Sequence, residues 1–289
     1  MDKPRYIAVD GGGTRCRVAV ALGDSRHETE AGPANVSTAL DAALAEIHCG
    51  IDALAQRFGQ ERRNWRSVPI YLGLAGVIGP VQVDGVAEQL DFDHVLVEDD
   101  RPAAVHGALG VADGAVLHCG TGSFQAIQRE GRIRTVGGWG AVLGDPASAM
   151  WLGREALTAT LAAHDGLHAT TALSASLSTR FGGAAGVVAF ARDATPAEFG
   201  ALAPTVTQAA EAGDEMAQQL MQRGADEQVH VLDQLGWDRE TTVCLTGGLA
   251  AHYRGYLPAH VQRAIQPLRG STLDGAFALA QRFAEACGR

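Results

Sequence analysis

The stretch that determines the fold class is Asp10-Gly11-Gly12-Gly13-Thr14-Arg15, which lies between two short apolar runs, Tyr6 to Val9 and Cys16 to Leu22. Short apolar runs bounded by glycines are typical of β-strands joined by a turn. Consecutive glycines accept positive φ angles and leave their main-chain N–H groups accessible to an anion. The stretch therefore predicts a β-hairpin whose turn is either an ordinary connection or a phosphate-binding loop.

The residues after the hairpin predict further strands and helices. A polar edge strand, Ser25 to Glu30, precedes a helix that we expect to begin near Ser37, whose hydroxyl can cap it. Apolar residues at alternating steps of four and three predict one buried stripe on this helix: Leu40, Leu44, Ile47, Ile51, Leu54 and Phe58. The next predicted elements are a strand at Val68–Leu74, a helix at Val81–Leu90, a strand at Val95–Val97 and a helix at Pro102–Leu109.

The second half of the chain begins with the same order of elements, which indicates an internal duplication. Its predicted parts are a strand at Gly114–Cys119, the turn Gly120-Thr121-Gly122-Ser123, strands at Phe124–Gln128 and Gly131–Val136, a mostly helical insertion over about 145–234, a strand at Thr242–Leu245, the pair Gly247-Gly248 and a last helix at Leu273–Ala286. Such alternation implies a mixed sheet with helices on both faces in each half. Two glycine turns at equivalent points would face each other across a cleft and could hold a polyphosphate from both sides.

Composition and charge favour small-molecule partners. The chain has 289 residues, 46% of them hydrophobic, which is enough for two domains with separate cores. The formal net charge is -10 and no run of Lys or Arg occurs, so neither nucleic acid nor an anionic membrane is an expected partner. The N-terminus leaves no room for a signal peptide, and the longest apolar stretch, Ile70 to Gly79, is too short to span a bilayer. We therefore expect a cytoplasmic protein.

Other site classes lack their sequence patterns. The five cysteines are dispersed without a CxxC spacing, which argues against a disulfide framework or a zinc site. The chain has no GxxxxGK[ST] loop, and no GxGxxG that leads from a strand into a helix. His118 and Cys119 precede the second glycine turn and are interpreted as packing residues. His164 and His168 lie four apart without the acid of an HExxH motif, so no metal site is expected there.

Several motifs occur in an order and spacing that resemble a known family: DGGGT at 10–14, GTGS at 120–123, GGWGAVLGD at 137–145, TGG at 246–248 and DGAFALA at 274–280. The family is the BadF/BadG/BcrA/BcrD-type ATPases of the actin-like ATPase and sugar-kinase superfamily, with the N-acetylglucosamine and bacterial glucosamine kinases. The resemblance implies an α/β fold of two ribonuclease H-like (actin-like ATPase) domains with an interdomain cleft. The first domain would cover 1–112 plus the returning helix 273–289. The second would cover 113–272, with a helical insertion at about 146–235.

The same resemblance implies ATP and Mg2+ as cofactors and assigns residues to them. Asp10 would lie near the phosphates and bind Mg2+ through water. The phosphate chain would be held by Gly11, Gly12, Gly13 and Thr14 together with Gly120, Thr121, Gly122 and Ser123. Gly247 and Gly248 would line the adenosine site.

A base for the acceptor hydroxyl is expected in the run Val97-Glu98-Asp99-Asp100-Arg101, which places three acids at the end of a predicted strand. Phosphoryl transfer to an alcohol needs a group that accepts the hydroxyl proton, and adjacent like charges raise the pKa of one acid. This argument alone leaves Asp99 and Asp100 both open. The downstream AAxxGA spacing matches Asp100 to the catalytic aspartate of the family.

For the sugar, the resemblance implies contacts from Asn35, Gly138, Trp139 and Asp145. An amide and a carboxylate can fix hydroxyls by directional hydrogen bonds, and an indole face can lie against a pyranose. The sequence departs from the family at 144–148, where relatives continue GDEGS and this chain has Gly-Asp-Pro-Ala-Ser.

The function predicted from these residues is ATP-dependent phosphorylation of N-acetylglucosamine at its 6-hydroxyl, with glucosamine as the alternative substrate. The resemblance also suggests a homodimer. Two other functions stay open: an iron–sulfur ATPase activator of a dehydratase or reductase, and a sugar-sensing regulator. No cluster motif surrounds Cys16 or Cys119, and no DNA-binding helix-turn-helix precedes the first strand, so both are less favoured.

Overall fold

The computed structural model describes residues 3–288, so Met1, Asp2 and Arg289 at the ends of the predicted first domain lie outside it. The strands are β1 Ile7–Gly11, β2 Cys16–Leu22, β3 Ser25–Ala31, β4 Ile70–Leu74, β5 Val95–Asp99, β6 Gly114–Cys119, β7 Ser123–Arg129, β8 Arg132–Gly137 and β9 Thr242–Thr246. The α-helices are α1 Leu40–Arg57, α2 Pro80–Gln89, α3 Arg101–Leu109, α4 Ala149–His164, α5 Ala172–Phe181, α6 Ala184–Asp193, α7 Pro196–Gly200, α8 Ala203–Glu211, α9 Glu215–Leu235, α10 Ala259–Ala264 and α11 Thr272–Cys287. Short 3₁₀ helices lie at Arg62–Trp65 and Ala250–Tyr256.

The chain is mixed α/β and folds into two compact units. Unit 1 comprises Met1–Val111 and Leu268–Arg289, and unit 2 comprises Ala112–Pro267. Unit 1 is therefore built from both ends of the chain. Within the described residues, no helix is long and apolar enough to cross a membrane.

Unit 1 contains a five-stranded sheet in the order β3-β2-β1-β4-β5. β1 pairs antiparallel with β2 and parallel with β4, so it lies in the centre and is fully buried. Because successive strand residues point to opposite faces, Ile7 and Val9 join the core under α1, whereas Ala8 faces α11. The sheet thus has a helical layer on each face.

The predicted stripe on the first long helix is confirmed, but its predicted start is wrong. Leu44, Ile47, Ile51 and Leu54 are buried against the sheet. The helix begins at Leu40 and has no side-chain cap, because the Ser37 hydroxyl donates instead to Asn35 Oδ1 at 2.8 Å. A local side-chain bond has replaced the expected cap.

The second face of the unit 1 sheet is covered closely by α3 and α11. A Cβ on Gly107 would lie 2.1 Å from the Ser271 carbonyl oxygen, and one on Gly275 would lie 1.9 Å from the Ala103 carbonyl oxygen. Small residues at these points let the two helix backbones approach. This contact holds the end of the chain on the first strands.

Unit 2 contains a four-stranded sheet in the order β8-β7-β6-β9. β6 pairs antiparallel with β7 and parallel with β9, which repeats the pairing of β1 with β2 and β4. An isolated parallel bridge from Val243 to Ile265 continues the sheet beyond β9. The predicted helical insertion is present as α4 to α9, whose apolar faces form one core with the sheet.

Candidate active site

The first glycine turn joins β1 to β2 and leaves its tip open to solvent. The Gly12 N–H donates to the Arg15 carbonyl at 2.9 Å, and the Gly12 carbonyl accepts from Ala34 N at 2.9 Å. Gly13 and Thr14 are exposed, and nothing lies within 4 Å of a Cβ position at Gly13. The backbone is therefore open at Gly13, as an anion-binding turn requires.

Asp10 lies at the end of β1 and is buried. Its carboxylate forms an ion pair with Arg17, the residue opposite it in the hairpin register. Burial raises the pKa of Asp10, and the Arg17 guanidinium opposes that rise. Sequence reasoning missed Arg17, although the length of the turn is enough to place residue 17 opposite residue 10 once the hairpin is recognised.

The acids after β5 have different partners. Asp99 accepts hydrogen bonds from Arg101 through the main-chain N at 3.0 Å, Nε at 2.6 Å and Nη2 at 3.2 Å. Asp100 directly precedes α3 but its side chain does not cap that helix. Burial raises the pKa of Asp100 to about 6, with further contributions from the charges of Asp99 and Asp10. The carboxylates of the two adjacent acids therefore differ in their hydrogen-bond partners.

Asp10 is near the carboxyl end of β1 and Asp100 directly follows β5, so both lie at the carboxyl end of the parallel strands of the unit 1 sheet. The charge of Asp10 contributes to the raised pKa of Asp100. Asn35 is in the same unit, where its Oδ1 accepts from Ser37 N at 3.0 Å as well as from the Ser37 hydroxyl. Ligands commonly bind beyond the carboxyl ends of parallel strands. Unit 1 thus brings together four of the predicted features: Asp10, the first turn, Asn35 and Asp100.

The second glycine turn, Gly120 to Ser123, is closed by a 2.8 Å hydrogen bond from Gly120 N to the Gly122 carbonyl. The Gly120 carbonyl accepts from Ala149 N at 2.9 Å, which ties the turn to the start of α4. Thr121 is exposed. The Ser123 hydroxyl, in contrast, is buried and donates to the Pro146 carbonyl at 2.6 Å. The hydrogen bond of the Ser123 hydroxyl therefore holds the loop that contains Pro146.

The loop that follows β8 combines a buried acid with exposed apolar groups. Asp145 has a positive φ of 59° and is buried, and its Oδ1 accepts from Gly140 N at 3.3 Å. Burial raises the pKa of Asp145, and bonds from the Gly140 and Ser123 main chain oppose the rise. Trp139 is 67% exposed, and Val142 and Leu143 are 88% and 87% exposed. Gly138 lies beside Trp139 and donates its N–H to the Ser123 carbonyl at 2.9 Å.

The pair Gly247-Gly248 lies directly after β9. Gly247 has a φ of 84°, and a Cβ there would be 2.4 Å from the Cys119 carbonyl oxygen. Nothing lies within 4 Å of a Cβ position at Gly248. Gly247 is therefore required by the fold, and the backbone at Gly248 is open.

Three of the cysteines lie inside the two units. Cys16, Cys119 and Cys244 are buried free thiols, and burial raises the pKa of Cys16 to about 12.

Residues 3–288 contain no group of three or more His, Cys, Asp or Glu that could hold a metal ion. Mg2+ is commonly bound through one or two carboxylates, water and substrate phosphates. The buried Asp10 carboxylate beside an open glycine turn fits that mode of binding.

Comparisons with known proteins find one matching family model and several similar chains. The model of the BadF/BadG/BcrA/BcrD ATPase family matches residues 7–276. A glucosamine kinase of Vibrio cholerae is 26% identical over 279 residues, covering 95% of this chain and 95% of its own. An N-acetyl-D-glucosamine kinase of Dictyostelium discoideum is 26% identical and covers 86% of each chain. A crystal structure from Chromobacterium violaceum, described as that of a proposed N-acetylglucosamine kinase, has a TM-score of 0.84 and 29% identity, covering 96% of this chain and 99% of its own.

Proposed function

Because the chain belongs to the BadF/BadG/BcrA/BcrD ATPase family, we propose that it is an ATP-dependent hexosamine kinase. The acceptor in this proposal is the 6-hydroxyl of N-acetylglucosamine. The observation that carries the proposal is the similarity, over nearly the full length of both chains, to relatives named as amino-sugar kinases. The repeated strand pairing of the two units supports two ribonuclease H-like domains of the actin-like type.

Asp100 is the proposed catalytic base. A base must be ionised at the working pH and must also have a substantial affinity for the proton that it removes. The raised pKa of Asp100, about 6, meets both conditions near neutral pH. Asp99 is a poorer candidate, because its carboxylate already accepts three hydrogen bonds from N–H groups of Arg101.

Phosphates and Mg2+ are assigned to the two glycine turns and to Asp10. Main-chain N–H groups at Gly13 and Thr14, and at Thr121 and Gly122 in the second turn, would bind phosphate oxygens. Asp10 would hold Mg2+ through water, and Arg17 favours the ionised form of its carboxylate. When bound, Mg2+ supplies positive charge that neutralises the phosphate chain during transfer.

The sugar is assigned to Asn35, Gly138, Trp139 and Asp145. The exposed indole of Trp139 offers an apolar face of the kind that packs on a pyranose ring. Asp145 accepts main-chain hydrogen bonds from Gly140 and Ser123, which orient its carboxylate in the same loop. A carboxylate has about four lone-pair sites and could accept a further hydrogen bond from a sugar hydroxyl. Binding that closes this loop would exclude water, so that the sugar accepts the phosphoryl group.

Free glucosamine is the second candidate substrate, because the Vibrio cholerae relative with that name covers 95% of both chains. The chemistry at the 6-hydroxyl is the same for both sugars. They differ at carbon 2, where one has a neutral acetamide and the other an amine. We also propose a homodimer, which size-exclusion chromatography with light scattering would test.

A coupled ADP-release assay tests the function. Mg-ATP is supplied with N-acetylglucosamine, glucosamine, N-acetylmannosamine or glucose, beside a control without sugar. Stimulation by one amino sugar is the expected result and identifies the substrate. Sugar-independent hydrolysis by a brown, oxygen-sensitive protein would indicate the activator function instead. Sugar binding without ADP release would indicate a regulator.

A further inference from the structure

His118 is the next-to-last residue of β6 and lies between the two glycine segments of unit 2. Its ring stacks on Phe124 of β7, with centroids 4.8 Å apart and an interplanar angle of 15°. Its Nδ1 is 3.0 Å from Thr246 Oγ1 on the opposite neighbour, β9. His118 and Thr246 are directly paired in the parallel register of these strands. The side chain therefore connects the middle strand to both of its neighbours.

The same imidazole lies under the second glycine turn. Its Nε2 would be 3.1 Å from a Cβ on Gly120, so the glycine at that position leaves space for the ring. Thr246, its hydrogen-bond partner, immediately precedes Gly247-Gly248. One side chain thus contacts the turn assigned to the phosphates and the residue that leads into the segment assigned to adenosine.

Main-chain contacts join these two segments at the same place. The Cys119 carbonyl accepts a hydrogen bond from Leu249 N at 2.9 Å, and Gly247 packs against Cys119 and Gly120. These contacts bring the two backbones together, but they leave the side chain of Thr246 to be fixed by another group. The only hydrogen bond that residues 3–288 offer the Thr246 hydroxyl is the one to His118.

The environment keeps the ring neutral, since burial lowers the pKa of His118 to about 4. A neutral imidazole has one donor and one acceptor nitrogen. If the Thr246 hydroxyl donates to Nδ1, the proton lies on Nε2 and points toward the Gly120 turn. That arrangement adds no charge and places a donor beside main-chain groups that bind an anion.

We propose that His118 is a positioning residue for the nucleotide: its hydrogen bond to Thr246 fixes the spacing between the phosphate-binding turn 120–123 and the segment 247–248. The proposal rests on the assignment of these segments to ATP. A nucleoside triphosphate contacts both segments only if their spacing matches its length, so a fixed spacing lowers the cost of binding. The role concerns nucleotide affinity and not the sugar.

Calorimetric titration with a non-hydrolysable ATP analogue measures this role without an acceptor sugar. His118→Leu and Thr246→Val each remove one partner of the hydrogen bond while keeping similar volume. We expect each to weaken binding about three- to tenfold, the range for loss of one hydrogen bond. The double variant should be no weaker than either single variant, because both remove the same interaction. His118→Asn should recover most of the affinity, since its amide can reach the position of Nδ1.

Steady-state kinetics and a control separate positioning from general packing. The KM for ATP should rise in His118→Leu while the KM for the sugar stays unchanged. His230→Leu, on the exposed side of α9 in the same unit, should change neither value. If His118→Leu does not fold, Thr246→Val and its conservative partner Thr246→Ser provide the same comparison.

Unchanged analogue binding in the folded variants, or additive effects in the double variant, would overturn the role of His118. A wild-type chain that binds the analogue normally but phosphorylates no amino sugar would refute the proposed function and leave the positioning role standing. A wild-type chain that binds no nucleotide would refute both.

Discussion

At the scale of single residues, Asp99 and Asp100 show how neighbours with the same chemistry can have different surroundings. The sequence contains three consecutive acids, and charge repulsion alone predicts that one of them titrates late. It does not say which, because the outcome depends on where Arg101 points. In the structure Arg101 turns back onto Asp99, and its neighbour Asp100, which is buried, has the raised pKa.

Asp100→Asn should reduce kcat by about a hundredfold to ten-thousandfold, the usual contribution of a general base. Binding of ATP should change little, because the residues assigned to the phosphates are left in place. Asp99→Asn is the matched control and should retain far more activity. Steady-state kinetics with the preferred amino sugar provides the measurement. Near-normal turnover in Asp100→Asn would contradict its role as the base.

The same substitution should stabilise the metal-free protein at neutral pH. The pKa of Asp100 is raised from 3.8 to about 6, so the ionised form is disfavoured in the folded state. Ionised Asp100 therefore lowers the free energy of unfolding above pH 6. This loss disappears as the pH falls below 3.8, the pKa of the carboxyl group in the unfolded chain. Asp100→Asn should raise the free energy of unfolding by roughly 3 kcal/mol at pH 7.5 and by little at pH 4.

Urea unfolding in the presence of EDTA, at several pH values, measures this difference. Asp99→Asn again serves as the control and should be destabilising, because it leaves the Arg101 guanidinium without its carboxylate. If the stabilisation by Asp100→Asn instead increased as the pH fell, the result would contradict the raised pKa of Asp100.

At the scale of elements, periodicity predicts the strands and the first long helix well, because these elements bury one face against the sheet. It does not predict the start of that helix, because the Ser37 hydroxyl bonds to Asn35 instead of capping the helix. The spacing of apolar residues carries no information about such a polar contact. The partner of Asp10 escapes prediction for a related reason. Arg17 lies in a strand whose register is predictable, but the direction of a long side chain depends on its surroundings.

The contact between α3 and α11 gives a prediction at this scale. Gly275→Ala should lower the free energy of unfolding by about 1–3 kcal/mol, as for other overpacked sites, because the new methyl would overlap the Ala103 carbonyl. Gly85→Ala in α2 is the control, since its Cβ has no neighbour closer than 3.9 Å. Better helix propensity should make that variant neutral or more stable by up to about 1 kcal/mol. Equal unfolding midpoints for the two variants would refute the close-packing argument.

At the scale of the whole molecule, the repeated order of strands and glycine turns is enough to predict two α/β halves. The pairing of β6 with β7 and β9 repeats that of β1 with β2 and β4. The hydrogen bonds of side chains within the site are less predictable. Ser123 donates its hydroxyl proton to Pro146, and His118 bonds to Thr246 more than a hundred residues away. Neither local spacing nor composition reveals these partners, because the tertiary fold brings them together.

The return of the chain to unit 1 makes that unit depend on residues at both ends of the sequence. Deletion of residues 272–289 would expose Tyr6, Ala8 and Tyr71, which α11 covers through Ala276 and Ala280. Unit 2 has its own core and does not include α11. We therefore expect limited proteolysis of the truncated chain to degrade residues before 112 while sparing a fragment that corresponds to unit 2, and we expect loss of kinase activity. Equal protease resistance of both units would show that the sheet of unit 1 is stable without its second helical layer.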